Sequence, residues 1–210
     1  MQFAIIGVGN VGANLGIRLT AHGHEVAFGV RPGKDLGDLL DRCEGRGRAV
    51  SVGEAVSSAE VIFLAVPAHA AVDALRGLEL VDRIVVDCNN PLTWSDGPIW
   101  SPPEEGSTTA QLARAYPSAR FVKGFNTFGA EFHRDPRLGP RGIDVQLASD
   151  DEEAKAKVAE IARSAGFEPV DVGGLRNAAA LENLAVLWIH LALQMGRGRD
   201  IGFKLLEREA

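Results

Sequence analysis

A doubly wound α/β fold, with helices on both faces of a mostly parallel sheet, is what this sequence predicts, and three observations predict it. Short runs of β-branched and aliphatic residues alternate with helix-like segments along the chain. Those runs are apolar at consecutive positions rather than at alternate ones, as strands covered on both faces require. The first of them leads directly into Gly7-Val8-Gly9-Asn10-Val11-Gly12 and then a helical pattern. With 210 residues, 46% of them hydrophobic, and 10 prolines, the chain is expected to form one compact domain with a sizeable core and a small C-terminal appendage.

Taken in order, the expected strands are residues 3–6, 25–28, 61–65, 83–87, 121–123 and 144–148. Helices are expected at 11–22, 36–43, 53–57, 70–76, 108–115, 151–165 and 178–195. Gly23, Gly45, Gly77 and Gly166 follow four of them, where a left-handed cap needs a residue without a side chain. Residues 89–106 carry Pro91, Pro98, Pro102 and Pro103 and read as a long ordered loop without a regular element, a type of segment that is usually functional. The last helix presents Leu181, Leu184, Leu187, Trp188, Leu191, Ala192 and Met195 at helical spacing, which reads as core or as a subunit interface.

The glycine loop carries the first functional reading. Gly7 permits a tight turn, Gly9 lets the backbone approach a pyrophosphate, and Gly12 lets helix and strand pack closely. The N-terminus of the following helix offers free N–H groups and positive potential to phosphates. A strand, this loop, a helix and a second strand in that order make a Rossmann-type dinucleotide site, with Val8, Asn10 and Val11 lining the loop. The second strand ends on Val30-Arg31-Pro32-Gly33-Lys34, with no carboxylate after Glu25 until Asp35. An acidic residue there would hold a ribose 2′-hydroxyl, whereas Arg31 and Lys34 suit a 2′-phosphate, so NADP(H) is expected over NAD(H). The plainer alternative is a pair of solvated loop cations.

Ala65-Val66-Pro67-Ala68 ends the strand at 61–65, where carboxyl-end turns of an open sheet line the ligand crevice, and His69 follows within reach of a nicotinamide ribose. A purely structural turn and a surface histidine are the alternatives. Asn90 and Pro91, Asn126 and Thr127, and Gly173-Gly174-Leu175 lie in further loops after the sheet and are candidates for positioning a planar ligand.

Several classes are excluded by composition. A net charge of −6 without a Lys/Arg run argues against a nucleic-acid surface. Cys43 and Cys88 are widely separated, so neither a disulfide framework nor a zinc site is expected, and no metal is. The stretch from Leu184 to Met195 is too short to span a bilayer, and the opening residues lack the basic start of a secretory signal, so a cytoplasmic protein without membrane contact is expected.

Four stretches carry a family resemblance: the Gly7–Gly12 loop with Gly23-His24-Glu25-Val26; Asp87-Cys88-Asn89-Asn90-Pro91-Leu92; Val122-Lys123-Gly124-Phe125-Asn126-Thr127; and Asp171-Val172-Gly173-Gly174-Leu175-Arg176-Asn177-Ala178 leading into Leu181-Glu182. With Ile201-Gly202-Phe203-Lys204, they resemble the deazaflavin coenzyme (F420)-dependent NADP oxidoreductases and related dinucleotide-binding reductases over nearly the whole chain. The resemblance implies a Rossmann domain over 1–172, a helical extension over 173–210 that closes the active-site cleft, and hydride exchange between NADP(H) and coenzyme F420 or a flavin-like acceptor. A homodimer is expected. Two departures stand out: Val30 occupies a position where the family's 2′-phosphate signature has Ser, and Gly124–Thr127 looks like the broader reductase group.

Hydride transfer to a flat ring needs stacking and exclusion of water, not a nucleophile. A small imine or carbonyl substrate would instead need a proton donor, for which Lys123, His133 and Tyr116 are candidates, Lys123 being equally readable as a strand-end side chain that snorkels to solvent. Glu182, on the apolar last helix, is expected to pair with Arg176 or Lys123. A non-catalytic NADP(H)-binding redox sensor is the remaining class.

Overall fold

The structure is a computed structural model that describes residues 1–208. Six parallel strands form the central sheet: β1 (Gln2–Ile6), β2 (Glu25–Val30), β3 (Gly47–Ser51), β4 (Val61–Leu64), β5 (Ile84–Asp87) and β8 (Arg120–Lys123). Their order is β3-β2-β1-β4-β5-β8. Chain direction across the sheet therefore reverses between β1 and β4, which opens a crevice at their carboxyl ends.

Strand alternation divides the core. Phe3 and Ile5 point to one face, where Phe28, Phe63, Val86 and Val122 meet Leu15 and Leu19 of α1 (Asn10–Ala21) and Val158 and Ile161 of α7 (Glu152–Ser164). Ala4 and Ile6 point to the other, where Ile62, Leu64 and Val85 meet Ala55 and Val56 of α3 (Val52–Ser58) and Leu112 of α5 (Thr108–Ala115). Phe3, Phe28 and Phe63 are fully buried, each contributing about 2 to 3 kcal/mol of transfer free energy. Gly23, Gly45, Gly77 and Gly166 all take positive φ after their helices.

A second pair of parallel strands, β11 (Asp144–Leu147) and β12 (Glu168–Asp171), joins the edge of β8 through an antiparallel bridge between Lys123 and Ala148. The C-terminal tail returns over this pair. Trp188 of α8 (Ala178–Ile189) donates to the Ile201 carbonyl at 2.7 Å, and Lys204 reaches Glu168 at 2.7 Å and also contacts Asp144.

Six features depart from expectation. Residues 89–106 are not devoid of regular structure: β6 (Leu92–Trp94) and β7 (Pro98–Trp100) pair as an antiparallel hairpin. Pro98 starts the second strand, where a missing N–H does little harm, and Asp96 and Gly97 turn the chain with positive φ. β3 was invisible because it is a largely exposed edge strand with no apolar run. β12 was masked by Pro169, which an edge strand tolerates. The short helix α6 (Ala130–Arg134), packed on α1, also lacked a periodic signal. Finally, two expected helices differ in form. The segment 70–76 is a single turn, α4 (Ala71–Ala74), entered from a 3-10 turn at Ala68–Ala70, and the last helix is α-helical only to Ile189 before a π turn, His190–Gln194.

Candidate dinucleotide and hydride-transfer site

Gly7 follows β1 with φ of 97°, and a Cβ on it would strike the Ala65 carbonyl at the end of β4. A Cβ on Gly12 would strike the Gly7 carbonyl and press on Ile5 at 3.0 Å. Gly9 differs: it is exposed, has an ordinary φ of −86°, and a Cβ there would meet no protein atom within 4 Å. Its missing side chain therefore leaves open space at the N-terminus of α1. That end carries no side-chain cap and no acidic residue in its first turn. By contrast, α7 is capped by Asp151 and starts with Glu152 and Glu153. Uncapped N–H groups at a glycine-lined mouth form an anion cradle, and a pyrophosphate fits it.

A cavity of about 580 Å³ opens beside this loop, lined by Gly7, Val8, Val30, Arg31, Lys34, Val66 and Pro67. Gly29, Val52, Ala70, Asp73 and Ala74 complete it and were missed by sequence reading. Gly29 had a local signal: a Cβ there would sit 3.2 Å from Val52 Cα, so it keeps β2 and α3 close. Gly33, with φ of 80°, and the Lys34 N–H to Arg31 carbonyl bond fold the 31–34 turn so that both cations are exposed. Among the described residues neither forms an ion pair, which leaves both charges available to an anion. Asn10 and Val11 open the first turn of α1 and Ala65 directly follows β4, and none of the three lines the cavity wall.

A second cavity of about 510 Å³ shares Pro67 with the first and is walled by His69, Asn90, Pro91, Thr93 and Pro103, with Thr108 and Gln111 from α5. His69 is exposed. Asn90 and Asn126 bind each other reciprocally, Asn90 Nδ2 donating to the Asn126 carbonyl at 2.9 Å and Asn126 Nδ2 to Asn90 Oδ1 at 2.8 Å. Thr127 turns away from the cavity to donate to Gln146 at 2.6 Å. Gly173, Gly174 and Leu175 line neither cavity; the Leu175 N–H donates to Asp150, and the segment packs beside α5.

The candidate proton donors Lys123 and His133 lie in the core, and Tyr116 lies at a helix packing contact. Lys123 does not snorkel: it is fully buried, with Nζ 3.0 Å from Asp87 Oδ2, 3.1 Å from Glu182 Oε1 and 2.5 Å from the Asn89 carbonyl. Asp87 and Glu182 are also fully buried. Thr109 donates to Asp87, while Glu182 accepts from Trp100 Nε1 and the Thr108 N–H, each at 2.9 Å. One lysine thus ties β5, β8, the hairpin, α5 and α8 together. His133 is fully buried beside Phe128, and desolvation pushes its pKa down to about 4, so it is a neutral core ring. Tyr116 donates to the Val72 carbonyl at 2.6 Å, packing α5 on α4. Cys88 is buried and its thiol is pushed well up by desolvation, so it offers no thiolate.

Residues 2–91, from β1 through the first residues after β5, match the family model described as coenzyme F420-dependent NADP oxidoreductase. Over its full length the chain is 27% identical to the F420-dependent NADP reductase of Methanothermobacter marburgensis, covering 98% of both proteins. A solved protein of Arthrobacter sp. FB24, described as an F420-dependent NADP-reductase, superposes with a TM-score of 0.85 at 28% identity, covering 98% of this chain and 99% of that one. Over residues 2–91 the chain thus carries the pattern of the F420-dependent NADP oxidoreductases, and over its whole length it is similar to proteins described by that activity. A larger protein is similar as well: the rat metalloreductase STEAP3 is 33% identical over 183 residues, 86% of this chain. The chain spans about a third of the length of that metalloreductase, 36%.

Proposed function

We propose that this chain is an NADP(H)-dependent oxidoreductase that exchanges hydride between the nicotinamide and a deazaflavin or flavin-like acceptor. The observation that carries the reading is the uncapped N-terminus of α1, faced by Gly9 with open space around it and continuous with a cavity bearing Arg31 and Lys34. Bound there, NADPH would supply the two-electron hydride. Gly7, Gly9 and the first turn of α1 hold the pyrophosphate, while Arg31 and Lys34 hold the 2′-phosphate. Val66 and Pro67 sit at the passage between the cavities and support the nicotinamide end, with Asn90 and Pro91 beyond.

The second cavity contributes orientation and exclusion of water. Its walls carry no Asp, Glu, Lys or Arg, which suits stacking of a neutral ring and offers no nucleophile. Residues 173–208, the described part of the expected 173–210 extension whose last two residues lie outside the described residues, act as an extension closing the cleft, a reading supported by Glu182 of α8 accepting from Trp100 of the hairpin. A homodimer is supported by the exposed apolar side chains of Leu187, Leu193 and Met195. A cytoplasmic setting accords with an absence: among the described residues no helix is long and apolar enough to cross a membrane.

An imine or carbonyl reductase of the same fold is the second reading, and the burial of Lys123 and His133 leaves His69 as the titratable group at the cavity. Titration with NADPH, followed by addition of oxidised F420 or a flavin, tests the leading reading. Loss of NADPH absorbance together with reduction of the ring supports it. Tight NADPH binding with both rings left oxidised, but turnover of a cyclic imine, transfers the assignment to the second reading.

A further inference from the structure

The backbone at Phe125 is held in a conformation that its side chain disfavours. Its φ is 58°, in the left-handed region, which a bulky residue adopts only under strain. Glu44, Asp82 and Asp96 share a positive φ, but all three are exposed. Phe125 is 2% exposed. Such strain persists only where the surroundings enforce it.

Three contacts enforce it here. The Phe125 ring is wedged edge-on between Phe63 and Phe167, with centroids 5.6 and 5.3 Å away. Gly124 precedes it at a place where a Cβ would lie 2.6 Å from Leu147 Cδ2. His133 Nε2 sits 2.9 Å from the Phe125 carbonyl, and because a carbonyl only accepts, the neutral ring must carry its proton on Nε2. His133 Nδ1 is then a bare acceptor, buried and unpartnered, a desolvation cost with no bond in return. An apolar side chain would avoid that cost if filling space were all that was required.

The strained peptide leads directly into Asn126, whose amide donates to Asn90 and to the Leu181 carbonyl. Asn90 in turn lines the second cavity. We propose that His133, through the Phe125 peptide, is a positioning residue that fixes the Asn126–Asn90 pair and thereby the wall against which the nicotinamide half of the dinucleotide rests. The inference builds on the dinucleotide reading above. It assigns the histidine a role in geometry, with no proton moved.

The test compares NADPH with 2′,5′-ADP, which carries the adenosine and 2′-phosphate but no nicotinamide. His133→Leu removes the donor, whereas His133→Gln keeps a terminal N–H at similar reach. Calorimetric titration is expected to show NADPH affinity falling roughly tenfold in His133→Leu, with 2′,5′-ADP changed by less than about twofold. His133→Gln restores most of the loss, and Asn126→Ala reproduces it without touching His133, which keeps the question open to an answer even if His133→Leu folds poorly. Equal losses for both ligands, or no loss for either, overturn the relay. Wild-type protein that binds neither ligand overturns the dinucleotide reading itself, and the relay with it.

Discussion

The two halves of the crevice are built by opposite means. At the proposed adenosine end, a contiguous loop, Gly7 to Gly12, and a four-residue turn, Arg31 to Lys34, supply backbone shape and exposed charge. At the proposed nicotinamide end, the wall is set by side chains that converge from far apart: Lys123 lies 36 residues from Asp87 and 59 from Glu182. The first half needs glycines and free N–H groups, which are local properties. The second needs a buried ion cluster, and its geometry exists only when five elements are already in place.

The comparison predicts a graded series of effects. The largest falls on the nicotinamide side: Lys123→Met leaves Asp87 and Glu182 buried with no cation between them, and it is expected to lower unfolding stability by about 3 to 5 kcal/mol. Urea denaturation checks this, and a change below about 1 kcal/mol would mean that the cluster does not hold the hairpin and α8 to the sheet.

His133 supplies a pH test of the same region. Its pKa is about 4 folded against 6.5 unfolded, so between those values the unfolded chain binds the extra proton. The stabilisation is therefore complete above pH 6.5 and is lost as pH falls toward 4, by about 3 kcal/mol in all. Urea midpoints measured from pH 7.5 to 4.5 should slope downward in the wild type and flatten over that window in His133→Gln. Parallel slopes would place the titrating group elsewhere.

On the adenosine side the effects are on binding. Arg31→Glu is expected to weaken NADPH by about 1 to 3 kcal/mol while leaving NADH nearly unchanged. Equal effects on the two cofactors would show that Arg31 does not read the 2′-phosphate. The smallest structural effect belongs to Gly9→Ala, because the added methyl meets no protein atom: unfolding stability should stay within about 0.5 kcal/mol. Dinucleotide affinity should nevertheless fall, since that methyl projects where a pyrophosphate would lie. A variant that binds as well as wild type would move the phosphate site off the loop.

How much of this was legible follows from the same division. The four inner strands and β8, the helices that cover them and the glycine loop were readable because consecutive apolar residues, helix-ending glycines and turn chemistry act over a few positions. The hairpin was hidden by Pro91 and Pro98, which argue locally against strands, yet Pro91 lies just before β6 and Pro98 only starts β7. β3 and β12 were hidden because edge strands need little apolar sequence. Gly173 to Leu175 looked like a ligand loop because glycine pairs permit close approach, and here what approaches is Asp150.

The residues alone determined the layered α/β architecture, the anion cradle at α1 and the pair of cations beside it, because each depends on backbone conformation or exposure that neighbours in the chain control. Only the tertiary structure decided the fates of Lys123, His133 and Asn126. A charged or polar side chain takes its role from what surrounds it in space. For Lys123 that is two buried carboxylates from distant elements, and for His133 it is a strained carbonyl in the core. No local pattern announces either.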